Sequence, residues 1–120
     1  MRLVALRGAI TCSEDTKSEI DTKTKRLVTE MLARNDVGHE DLVSVLFTAT
    51  DDLHAEFPAA AARAIGLGDI PLICARELAI EGAMPRCIRV MVHCYSERDR
   101  ADLHHVYLED ARSLRDDLPE

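Results

Sequence analysis

The run Cys87-Ile88-Arg89-Val90-Met91-Val92 constrains this chain more than any other segment. It reads as an apolar β-strand, yet its third residue carries a permanent charge and five hydrogen-bond donors. A buried, unpaired guanidinium is costly, so Arg89 requires a partner, either an internal carboxylate or a ligand. Arg7 repeats the pattern: it closes the apolar run Leu3-Val4-Ala5-Leu6 and is followed at once by Gly8. Two arginines at strand positions, in a chain of formal net charge -7, point to a small pocket for an anion.

Periodicity places these residues on elements. Residues 2–9 read as a first strand, followed by a turn at 11–15. Ile20, Thr24, Leu27, Val28, Met31 and Leu32 then fall at helical spacing and form one apolar stripe. Thr16 and Glu19 have the capping-box spacing, and residues 35–38 offer a stop. Residues 42–49 are nearly continuously apolar and read as a central strand, ended by Thr50-Asp51-Asp52. Pro58 suits the first turn of a short helix through residue 65, which Gly66 stops. Residues 70–74 read as a short strand in which Pro71 cannot donate to a ladder. Residues 86–95 form the longest strand, 96–100 a charged turn and 105–108 a last strand, ahead of a polar tail ending Leu118-Pro119-Glu120.

This order predicts one α/β (α+β) domain over residues 1–120. It is a mixed five-stranded sheet backed by one main helix and a short helix. One main helix covers one face of such a sheet. The other face then needs partner subunits, because a sheet face this apolar is rarely left bare. A closed cyclic homo-oligomer answers that need, with pockets at its subunit interfaces.

The acidic balance excludes a broad nucleic-acid footprint, which needs clustered Lys and Arg. With 3% aromatic residues and no Trp, there is no base-stacking platform either. No apolar run approaches the roughly 20 residues that span a bilayer. Between Arg2 and Arg7 stand only four apolar residues, too few for a secretory core, so a cytoplasmic location is expected. Cys12, Cys74, Cys87 and Cys94 show no CxxC spacing, and Cys87 and Cys94, an odd number of residues apart, would face opposite sides of a strand. Reduced thiols are therefore expected rather than a disulfide framework.

Arg7 and Arg89 are the primary anion ligands; structural ion pairs with Glu77, Glu81 or Asp52 are the alternative. Glu77 lies just past a strand end, where site residues collect, although a surface carboxylate would look the same. Arg63, in an alanine-rich helix, either meets a ligand carboxylate or is a solvated surface residue. Tyr107 couples a rigid ring to one hydroxyl, with packing as its default role. His104 and His105, like His93 and Cys94, are adjacent, so each pair splits across a strand and makes no metal chelate. Cys74 and His54 form no recognised nucleophile motif. Gly66-Leu67-Gly68 precedes a strand, the reverse of a phosphate loop.

Four blocks carry a resemblance over nearly the whole chain. They are Leu6-Arg7-Gly8-Ala9-Ile10-Thr11, then Thr48-Ala49-Thr50-Asp51-Asp52-Leu53-His54-Ala55-Glu56-Phe57-Pro58-Ala59. Gly82-Ala83-Met84-Pro85-Arg86-Cys87-Ile88-Arg89-Val90 follows, and then His105-Val106-Tyr107-Leu108-Glu109 with Leu114-Arg115. In this order and at these separations they resemble the small trimeric α/β chorismate mutases of bacteria, as distinct from the all-helical ones.

The resemblance implies a homotrimer whose sheets pack into a barrel-like core, a pseudo-α/β barrel. It also implies the Claisen rearrangement of chorismate to prephenate, a unimolecular reaction that needs no nucleophile, cofactor or metal. By the same resemblance Arg89 points at the breaking ether oxygen, Arg7 binds a substrate carboxylate with help from Tyr107, and Glu77 accepts from the ring hydroxyl. Ile73 and Cys74 lie beside the substrate. Phe57, Ala59 and Arg63 wall the pocket from a neighbouring subunit, and Leu114 and Arg115 in the tail act as a cover.

Three departures stand out: Ala60 where some members carry lysine, Ile73 where a smaller or polar residue occurs, and a tail from Leu114 to Leu118 without the usual proline. Two other readings remain. One is a trimeric imine deaminase-like enzyme, which the block from Gly82 to Val90 disfavours; the other is a non-catalytic sensor of a small anion.

Overall fold

In a computed structural model that describes residues 1–114, strand β1 (Arg2–Thr11) lies antiparallel to β4 (Cys87–Ser96) along its whole length. Antiparallel pairing also joins β4 to β2 (Leu42–Ala49), while β2 takes β3 (Leu72–Arg76) in parallel and β1 takes β5 (Val106–Leu108) in parallel. The result is the expected mixed five-stranded sheet in one domain, in the order β3-β2-β4-β1-β5. β4 is its central strand, and β2 is internal beside it.

Helix α1 (Lys17–Arg34) buries Ile20, Thr24, Leu27, Val28 and Met31 against the sheet, the stripe read from periodicity. Gly8 lets it approach: a Cβ there would run into Met31 Sδ and lie 3.2 Å from Leu27 Cδ1. The side chain of Thr16 accepts from the Glu19 N–H as expected. The reciprocal half of the capping box is missing, because Glu19 Oε1 instead accepts from the N–H and hydroxyl of Ser13, at 2.8 and 3.0 Å. That backbone hydrogen bond comes first among the causes that hold the Glu19 carboxyl below its ordinary range. At the other end the helix stops at Asn35, and Asp36 (φ 52) takes the left-handed turn. Asn35, 2% exposed, ties this end to β5: its Nδ2 donates to Met31 O and His104 O, and its Oδ1 accepts from His104 N.

Several boundaries differ from the sequence reading. The edge strand β3 begins two residues late because Pro71 has no N–H; its carbonyl accepts from Val45 N at 2.9 Å instead. β4 starts at Cys87, since Arg86 is held at φ 48 with its N–H on the Asp52 carboxylate, at 2.9 and 3.0 Å to the two oxygens. Short helix α2 (Pro58–Ala62) runs into a wide turn, Arg63–Leu67, that breaks at Gly66 (φ 97) as expected. Single helical turns at His39–Asp41 and Arg100–Asp102 were not legible in the sequence.

The segment after β5 is not simply a polar tail. Glu109–Leu114 is helical, buries Ala111, and packs Leu114 with Ala9, Cys87 and Tyr107. Glu109 (φ 56) roots it on α1 through Arg26 at 2.6 Å and Lys23 at 3.5 Å. Arg115 and the rest of the tail fall outside the described residues.

Candidate active site

Helices α1 and α2 cover one face of the sheet, so every second strand residue faces away from them. On β1 these are Leu3, Ala5, Arg7 and Ala9; on β4 they are Arg89, Met91, His93 and Tyr95. The register sets Arg7 opposite Met91 and Ala9 opposite Arg89, which makes the two arginines diagonal neighbours. Thr48 lies opposite Arg89 on the other flank, and Tyr107 opposite Ala9. Glu77 follows β3 directly and is aimed inward by its N–H, which donates to Ala49 O at 3.0 Å.

Arg7, Arg89, Thr48, Glu77 and Tyr107 line one cavity of about 240 Å³, with Leu46 and Met91 as its apolar floor. A larger one, about 480 Å³, continues along the same face past Arg7 to Arg2, His93 and Arg100. Only the smaller brings both strand arginines together with a carboxylate and a phenol, so the chemistry points there.

The partner of Arg89 is Glu77: Nε lies 3.4 Å from Oε2, and the Thr48 hydroxyl donates to the same oxygen at 2.6 Å. Asp52, an alternative partner in the sequence reading, is committed elsewhere. Burial raises its carboxyl, but hydrogen bonds from the Thr50 hydroxyl and the Arg86 N–H outweigh this and leave it below its ordinary value. Arg89 is not buried within this chain; its side chain is 52% exposed against 23% for Glu77. The guanidinium therefore keeps donors free to reach into the cavity while one edge is held by the carboxylate. Cys87, two residues before Arg89 on the same face, lies beneath the site. Burial pushes its thiol up, only partly offset by the Arg89 guanidinium beside it, so it stays neutral.

The other sequence candidates split. Tyr107 joins the cavity and is buried against Ala9, Cys87 and Ala111. Leu114 reaches the same cluster. Ile73 is exposed on the same face, opposite Leu46, one strand over. Phe57 and Cys74 instead line a different cleft of about 400 Å³, with Leu53, His54 and Arg76. Ala59 is buried in α2, and Arg63 is exposed at its end. Within one chain these last four do not meet Arg89. Thr48 and Met91 were missed by sequence reasoning. Strand alternation would have found both once the β2–β4 register was known.

Fold and cavity define a class: a small mixed-sheet α/β protein with a cationic cavity on an open sheet face, suited to a small anion. The comparisons narrow it. The family model for chorismate mutase type I matches residues 3–118. The chorismate mutase AroH of Thermus thermophilus is 44% identical over 114 residues, 94% of this chain and 93% of that protein. That of Bacillus subtilis (strain 168) is 40% identical over 119 residues, 98% and 94% of the two chains. The solved structure of a chorismate mutase from Clostridium thermocellum superposes with a TM-score of 0.90 at 42% identity, covering 92% of this chain and 98% of that one. The chain belongs to the chorismate mutase type I family.

Proposed function

We propose that the protein is a chorismate mutase, an isomerase converting chorismate to prephenate for aromatic amino acid biosynthesis, with its active sites between the subunits of a homotrimer. The observation that carries the site assignment is the convergence of Arg7, Arg89 and Glu77 in one cavity on the open sheet face. In the rearrangement the ether C–O bond breaks as a C–C bond forms, with no proton gained or lost. The enzyme has two tasks: to hold the folded conformer, and to stabilise negative charge growing on the ether oxygen.

Arg89 takes the second task. Its guanidinium is always charged and is preorganised by Glu77 and β4. Arg7, one diagonal step away, takes a substrate carboxylate, aided by Tyr107. Glu77 accepts from the ring hydroxyl while balancing the positive charge. The substrate supplies the anion that two closely spaced arginines favour.

The trimer reading has physical support. The cavity of about 240 Å³ falls below the roughly 300–1,000 Å³ usual for enclosed ligand sites. It needs a second wall, and Phe57, Ala59 and Arg63, none of which lines it within one chain, would supply that wall from a neighbouring subunit. Leu3, Ile73 and Tyr95 stand exposed on the open face, as an interface would require. A cytoplasmic location is part of the proposal; the four free thiols are in keeping with a reducing compartment.

The test is direct. Purified protein is mixed with chorismate without added metal or cofactor, and substrate loss and prephenate formation are followed against the uncatalysed background. Fast stoichiometric conversion is expected. A folded protein that gives no acceleration would overturn the reading and bring forward a non-catalytic anion-binding protein.

A further inference from the structure

The segment carrying Phe57 has no regular structure between β2 and α2, yet it is clamped at one point. Asp15, in the turn between β1 and α1, accepts on Oδ1 from the backbone N–H groups of His54 at 2.9 Å and Ala55 at 3.0 Å. Its Oδ2 lies 3.0 Å from His54 Nδ1, and its side chain is only 20% exposed. The clamp has a firm base, because the next residue, Thr16, caps α1. Glu56 adds a local tie, accepting from the Phe57 N–H at 2.8 Å and lying 3.8 Å from Lys17 Nζ. Just beyond these bonds, Phe57 stands 66% exposed, and Pro58 then starts α2. A backbone pinned by a charge-assisted double acceptor, carrying an aromatic ring out into water, has the form of a presented surface.

We infer that Asp15 is a positioning residue: it fixes the backbone at 54–57 so that Phe57 is presented, already ordered, as the second wall of a neighbouring subunit's cavity. The inference rests on the chorismate mutase reading above. Asp15 touches no substrate; it acts through Phe57. Without the clamp the segment would have to be ordered when substrate binds, and that cost would appear as weaker binding. A wall contacts substrate and transition state alike, so the loss belongs in KM rather than kcat.

The experiment is steady-state kinetics on chorismate with the full chain, comparing wild type, Asp15→Ala, Phe57→Ala and the double variant. Asp15→Ala is expected to raise KM about 5-fold or more while kcat stays within roughly 3-fold. In the Phe57→Ala background the same change should raise KM no further. An unchanged KM in Asp15→Ala, or KM effects that multiply in the double variant, would overturn the assignment. Should Asp15→Ala fail to fold, Asp15→Glu takes its place. It keeps the charge but displaces the accepting oxygen by about one bond, so it should raise KM in the same Phe57-dependent way, and an unchanged KM again overturns the assignment. Wild-type protein inactive on chorismate defeats the underlying reading and the inference with it, whereas active wild type with unaltered variants defeats the clamp alone.

Discussion

Replacing Arg89 by alanine separates the proposed catalytic role from folding, because the two effects should differ in size. Within a single subunit Arg89 is half exposed and its ion pair with Glu77 spans 3.4 Å, and the cavity it faces must stay open to admit a ligand. A pair this open to water contributes no more than about 1 kcal/mol. The heavy penalty for stranding a buried charge does not apply, since Glu77 is 23% exposed and keeps its hydrogen bond from Thr48. Stability should therefore fall by less than about 1 kcal/mol in urea unfolding. Activity should fall much further: a preorganised donor aimed at developing charge is worth roughly 3–4 kcal/mol, so turnover should drop at least ~100-fold. The assay is prephenate formation with kcat and KM determined separately, alongside unfolding curves and the oligomeric mass of the same preparation. Arg89→Lys keeps the charge but not the fork, and should recover only part of the loss. A folded Arg89→Ala protein with near-normal turnover would refute the charge-stabilisation argument. A variant that unfolds would instead make Arg89 a structural residue.

Three further outcomes follow from other parts of the molecule. With no proton transfer in the chemical step, turnover should be nearly flat from about pH 6 to 9; a steep bell over that range would indicate a general acid or base. Asn35→Ala removes three hydrogen bonds of 2.7–2.8 Å from a buried side chain that joins α1 to β5. It should cost about 3 kcal/mol in chemical denaturation, and a loss below about 1 kcal/mol would mean that water replaces these bonds. Burial pushes the Cys12 thiol up to about 12, above the ~8.5 of an unfolded chain. The folded form thus holds its proton more tightly; this stability is complete below about pH 8.5 and is lost as pH rises toward 12. Cys12→Ala should flatten the alkaline decline by up to about 1.4 kcal/mol per pH unit, and parallel declines in the two proteins would contradict the burial argument.

Much of the scaffold was legible because it is local. The stripe from Ile20 to Met31 marks the buried face of α1 by spacing alone, and Thr16 and Gly66 mark ends through chemistry acting within a few residues. The boundaries that shifted did so where a distant group intervened. Arg86 is held out of β4 by Asp52, and the segment after β5 turns helical where Ala111 and Leu114 find Cys87 and Tyr107. The site divides in the same way. That Arg7 and Arg89 are strand residues needing an anionic partner is visible from their apolar neighbours. That the partner is Glu77, and not Asp52 or Glu81, is visible only in three dimensions.

Local patterns in the sequence by itself were enough for the five strands, the main helix with its apolar stripe, and fixed positive charge on two strands, since propensity and periodicity depend on near neighbours. Only the three-dimensional packing brings Arg7, Arg89, Thr48, Glu77 and Tyr107 to one cavity and sets Asp15 on the loop of Phe57. The strand residues among them are placed by the order β3-β2-β4-β1-β5 and its register. Pairing between segments far apart in the chain is chosen by how whole faces bury together, and no local pattern of residues records that choice.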